Sequence, residues 1–153
     1  MVKPKGNSGN QSNYVTVEDT ALCRVWCNVT SDGITGVYQN LDEFWERVRE
    51  GFEADDERRR RIGDSVTPRG AQGLQVRFGI VSRAVGKFIE CVRRAEQTAA
   101  SGTSPADITL NAGTLYQQSS KGKSFEFNGA YQILSKYPKY TAGMEDSRPG
   151  DKL

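Results

Sequence analysis

The sequence predicts an all-α fold, and three observations predict it. Apolar residues recur at helical spacing over five separate stretches. The stretches are separated by residues that stop helices, among them Ser31-Asp32-Gly33, Ser101-Gly102-Thr103-Ser104-Pro105 and Tyr137-Pro138. No run alternates apolar with polar residues as a strand would, and no internal repeat is visible.

Residues 1–13 are rich in Gly, Ser, Asn and Lys and read as a disordered leader. The first helix is expected from Val17 to Thr30, with Val17, Ala21, Leu22, Val25, Trp26 and Val29 on one stripe. Thr16 is its expected N-cap, and Glu18 and Asp19 occupy the first turn, where the helix dipole favours acids. Residues 33–40 look loop-like. A second helix follows from about Leu41 to Phe52, with Leu41, Phe44, Trp45, Val48 and Phe52 inward and Gly51 weakening its end. Asp55 to Pro68 reads as a polar connection, whose charged part alternatively prolongs the second helix.

The third helix is the long one, from Pro68 or Arg69 to about Gln97. Leu74, Phe78, Val81, Val85, Phe88 and Val92 form a sustained seam along it. That seam is barely three heptads long, which favours packing within the chain over a dimer zipper. Arg69, Arg83, Lys87 and Arg94 cluster opposite the seam, with Arg77 on its flank. Gly70, Gly73, Gly79 and Gly86 each cost roughly 1 kcal/mol relative to alanine in a helix interior. A fourth helix is expected from Pro105 to Gln118, packing Ile108, Ala112, Leu115 and Tyr116. After a loop from Ser119 to Ser124, a short fifth helix is expected from Phe127 to Lys136 with Phe127, Tyr131 and Leu134. The expected domain runs over residues 14–140, the span covered by the resemblance set out below, and residues 141–153 read as a disordered tail.

Composition excludes several functions. The chain has 153 residues, enough for one domain with a modest core, and it contains no histidine. Ser-His-Asp, Cys-His and His-metal arrangements are therefore absent. No apolar run approaches the roughly 20 residues of a membrane span, and the first residues lack a signal peptide's apolar region. The expectation is an intracellular protein without membrane contact, unless a leader has been removed. The three cysteines argue against a disulfide framework. Cys23 and Cys27, four apart, are half a metal site or, as the absent histidine favours, two small buried thiols. The carboxylates sit on polar faces or in the connection, and Gly70 and Gly73 lack the pattern of a phosphate-binding loop. No catalytic residue, cofactor or metal is expected.

Charge is segregated along the chain. Residues 14–57 hold three basic residues against eleven acidic ones, whereas residues 58–94 hold ten basic ones against Asp64 and Glu90. Such a basic segment can attract a polyanion. The competing reading is that acidic and basic helices satisfy each other across a shared surface, and charge alone does not choose.

Four blocks in order resemble a Myb/SANT-like (trihelix-like) domain of the kind found in Harbinger transposon-associated and "no apical meristem-associated" proteins. The first is Glu18-Asp19 with Leu22-Cys23-Arg24 and Trp26, and the second is Gly36 and Gln39 leading into Phe44-Trp45. The third is Leu74, Arg77-Phe78, Val85 and Lys87-Phe88. The fourth is Ser101-Gly102 with Phe127, Tyr131, Leu134 and Pro138-Lys139-Tyr140. Phe78, Tyr131 and Tyr140 stand where the family usually has tryptophan, and Gly129-Ala130 where a His-Cys pair is common.

The resemblance implies a three-helix unit with a long third helix, extended by two C-terminal helices. Its aromatic core would be Trp26, Phe44, Trp45 and Phe78. It further implies a non-enzymatic, nuclear DNA-binding protein, a transcription regulator or transposon-derived, whose third helix enters the major groove of double-stranded DNA. Gln72, Gln75 and Arg69 would lie near bases, and Arg58, Arg59, Arg60, Arg61, Arg77, Arg83 and Lys87 at phosphates. Arg58 to Arg61 also fit a weak nuclear-import signal. The alternative is a protein-interaction module, binding a chromatin protein or a transposase-like partner, or a pathogen effector reusing the helical fold.

Overall fold

The computed structural model describes residues 14–32, 40–62, 68–137 and 140. Among these there are six helices and no strand: α1 (Thr16–Thr30), α2 (Leu41–Ala54), α3 (Asp56–Ile62), α4 (Ala71–Gln97), α5 (Pro105–Ser119) and α6 (Asn128–Leu134). The all-α class holds. The structure forms two compact units, one up to Val81 and one from Ser82, and α4 supplies helical turns to both.

In the first unit, apolar stripes on α1, α2 and α4 meet in one core. Leu22, Val48, Leu74 and Val81 are fully buried, and Phe52 nearly so. Trp26 and Phe78 stack with ring centroids 4.7 Å apart, and Trp45 lies 5.9 Å from Phe78. Such a pair adds about 0.5–1.5 kcal/mol beyond its buried area. Trp26, Trp45 and Phe78 are buried, while Phe44 is half-buried and meets Trp45 edge-on at 5.3 Å.

Helix ends explain two departures from the sequence expectations, at Thr16 and after Asp55, and one agreement, at Leu41. Thr16 is the first helical residue of α1 rather than its cap; Val15 precedes it in extended conformation, and its N–H donates to Glu18 Oε1 at 3.1 Å. At α2, Asn40 is a true cap. Its Oδ1 accepts from the Glu43 N–H at 2.8 Å, a spacing of polar residue and glutamate that the sequence displays. The stretch expected as a connection contains α3 instead. Asp55 adopts an extended backbone (φ −67°, ψ 118°), ending α2. Its Oδ2 then accepts from the Arg58 N–H at 2.9 Å, which starts α3. The same carboxylate is gripped by Arg24 at 2.8 and 3.0 Å, tying the break to α1. So the charged run neither prolongs α2 nor stays a loop.

Gly51 has a packing reason. A Cβ built there would lie 2.7 Å from Val25 Cγ1, so α1 and α2 approach too closely for even a methyl group unless Val25 shifts.

The second unit has its own core of Phe88, Cys91, Ala95, Ala112 and Tyr116. Phe125, in the segment between α5 and α6, stacks on Phe88 at 4.1 Å, and Tyr131 meets Phe88 edge-on at 5.1 Å. Pro105 opens α5 behind its cap, Ser104, whose Oγ accepts from the Asp107 N–H at 3.1 Å. Helix α6 begins one residue later than expected, with Phe127 as its N-cap, and ends at Leu134. The Tyr140 and Ser82 hydroxyls are hydrogen-bonded.

Candidate nucleic-acid interface

Three of the arginines expected at DNA are turned into the protein. Arg58 is 3% exposed. Its guanidinium lies 4.6 Å from the Phe52 ring centroid and donates to the carbonyls of Phe52 (2.9 Å) and Glu53 (3.1 Å). Both carbonyls lie in the last turn of α2, where that of Phe52 also accepts the Asp55 N–H at 3.2 Å, so Arg58 helps close that helix.

Arg69 is 7% exposed and Glu18 only 2%. They form a bidentate pair, Nε to Oε2 and Nη2 to Oε1, both at 2.9 Å. Arg77 holds Asp19 in the same fork, Nε to Oδ1 at 2.8 Å and Nη2 to Oδ2 at 2.9 Å. The Tyr14 ring lies against both guanidiniums, its centroid 3.8 Å from Arg69 Cζ and 5.0 Å from Arg77 Cζ. Their position in the first turn of α1 suits these acids to the helix dipole. Their second role depends on chain segments 51 and 58 residues away.

The electrostatics follow from burial. Loss of water lifts the Asp19 carboxyl above the ordinary carboxylate range, against the pull of the Arg77 hydrogen bonds. Burial likewise pushes the Tyr14 phenol up. The hydrogen bonds to Glu18 and Asp19 raise Arg69 and Arg77, so both guanidiniums stay charged. The acidic and basic segments therefore do satisfy each other at these two pairs.

The other expected contacts stand outside. Arg59, Arg60 and Arg61 are exposed on α3, with Arg61 Nε 3.6 Å from Glu57. On α4, Gln72 and Gln75 are exposed on the side away from the buried seam. Val76 and Ile80, 52% and 42% exposed, share that solvent side and were not singled out by the sequence. In the second unit Arg83 and Lys87 are exposed, and Lys87 Nζ donates to the Ser119 carbonyl at 2.9 Å.

Among the described residues no group of three His, Cys, Asp or Glu side chains converges to hold a metal ion. Cys23 is buried and Cys27 half-buried; burial pushes both thiols up, so they stay protonated and unreactive. An open cavity of about 360 Å³ in the second unit is lined by Ile89, Val92, Arg93, Glu96, Tyr131 and Tyr140, among others. It offers one carboxylate, where acid–base catalysis by paired carboxylates needs two. No described helix is long and apolar enough to cross a membrane.

No protein-family model matches the chain, and no curated protein or solved structure matches it either.

Proposed function

We propose that this protein is a non-enzymatic, Myb/SANT-like DNA-binding protein, transposon-derived or a transcription regulator, acting in the nucleus. The N-terminal half of α4 would read the major groove. One observation carries the reading: Gln72, Gln75 and Val76 face solvent from the first turns of a helix whose opposite seam is buried. Glutamine can pair with adenine, and an apolar side chain can meet a thymine methyl. A buried ion pair at Arg69, just before α4, and a part-buried one at Arg77, within it, hold the start of α4 on α1 before any ligand arrives, which lowers the ordering cost of binding.

Within this reading Arg58, Arg69 and Arg77 hold the fold. In the first unit the exposed Arg59, Arg60 and Arg61 would meet phosphates, and the second unit separately presents the exposed Arg83 and Lys87 to them. The test is titration of the protein into random-sequence duplexes at about 50 and 200 mM salt, with sequencing of the retained DNA. An enriched motif and affinity that falls by several phosphates' worth of slope support groove reading. Absence of binding at the lower salt defeats it.

A second reading has its own observation. Val76 and Ile80 are exposed one helical turn apart, an arrangement that suits a partner helix. If no DNA is retained, these two residues are where a chromatin or transposase-like protein partner would dock. Val76→Asp would then abolish capture of that partner, and unchanged capture would exclude this face.

A further inference from the structure

The turn between α5 and α6 carries cations that the site above does not use. Lys87 Nζ donates to the carbonyl of Ser119, the last residue of α5, at 2.9 Å, and lies 5.4 Å from the Tyr116 ring centroid. This contact seats the turn beside an exposed cation of α4. The turn itself is tightly held. The Gly122 N–H donates to the Gln117 carbonyl at 3.0 Å, and the Lys123 N–H to the Ser120 carbonyl at 3.1 Å. The Gln117 side chain closes the loop by donating to the Gly122 carbonyl at 3.0 Å. With Cα atoms about 3.8 Å apart along the chain, Lys121 begins within about 7.6 Å of Ser119.

Lys121 and Lys123 are both exposed. Among the described residues no carboxylate forms an ion pair with either of them or with Lys87. Lys121 also sits at φ 57°, in the left-handed region that favours glycine. A cation thus stands at a position where the backbone alone would prefer no side chain.

We propose that Lys121 and Lys123, in the turn held by Lys87, form a second contact to nucleic-acid phosphates, one that is independent of base sequence. The inference rests on the DNA reading above. Lys121 and Lys123 lie in a turn that Lys87 holds through the Ser119 carbonyl, and none of the three is ion-paired among the described residues. Such exposed cations keep counterions nearby, and a phosphate chain releases those ions when it replaces them. Lysine supplies a compact charge for phosphate without the planar fork that reads guanine.

The test compares wild type with a Lys121→Gly/Lys123→Gln variant on duplex DNA between about 50 and 200 mM salt. Glycine suits the left-handed position, so the melting temperature should hold or rise. The salt slope should fall by about 1.8, which shrinks the affinity loss over that salt range by about 12-fold. The enriched DNA motif should not change. If wild type binds with a motif and the variant keeps the wild-type slope, the turn is no contact although the DNA reading stands. A shifted motif would place the turn at bases and overturn its sequence independence. Wild type that binds no DNA at the lower salt overturns both.

Discussion

Arg69 and Glu18 give up their hydration to each other, at 7% and 2% exposure. Removing one partner leaves the other charge buried, which typically costs about 3–5 kcal/mol. Arg69→Ala should lower the unfolding free energy measured by urea titration by that much, whereas Arg59→Ala, on an exposed residue, should stay within about 0.5 kcal/mol. Replacing both members, Glu18→Gln with Arg69→Met, should recover most of the loss. Equal losses for Arg69→Ala and Arg59→Ala would mean that the buried pair contributes nothing special. Asp19 gives a pH signature. Burial raises its folded pKa above the unfolded value, so the folded chain binds its proton more tightly. The associated stability is full below the unfolded value of about 3.9 and is lost as pH rises through the folded one. Urea midpoints of wild type should therefore fall relative to Asp19→Asn as pH is raised from about 4. Parallel profiles for the two proteins would contradict the raised value.

Glycines in the helices split into two kinds once neighbours are known. Gly51→Ala gains about 1 kcal/mol of helix propensity but drives a methyl to 2.7 Å from Val25, a stiff, buried, β-branched side chain. The net result should be destabilisation by about 1–3 kcal/mol, relieved in part by adding Val25→Ala. At Gly86 nothing lies within 4 Å of a built Cβ, so Gly86→Ala should stabilise α4 by up to about 1 kcal/mol. Thermal melts of the two variants should move in opposite directions; a shared direction would refute the packing explanation for Gly51. Both glycines read alike in the sequence, as weak points of a helix, because propensity is a local property and clearance is not. The separation of α2 from α3 had the same cause. The tether of Asp55 to Arg24 decides it, and nothing in the charged run itself announces a break.

For the molecule as a whole, two classes of arginine substitution should separate. Arg59→Ala/Arg60→Ala should leave stability nearly unchanged and lower the DNA salt slope by about 1.8, uniformly over sequences. Gln75→Ala should instead alter the enriched motif at an unchanged slope. If Arg59→Ala/Arg60→Ala leaves the slope untouched, α3 is not at the phosphates. The helical class and the aromatic core were legible in the chain because each depends on spacing along one element. A seam repeating every three to four residues identifies its own buried side, and Trp26, Trp45 and Phe78 duly lie in the core. The charge segregation was legible too, but not which cations face water. Arg69 and Arg77 look like any surface arginine until α1 brings Glu18 and Asp19 against them. Periodicity tells a residue which side of its helix it occupies; only the tertiary structure decides whether a carboxylate from another part of the chain is waiting there.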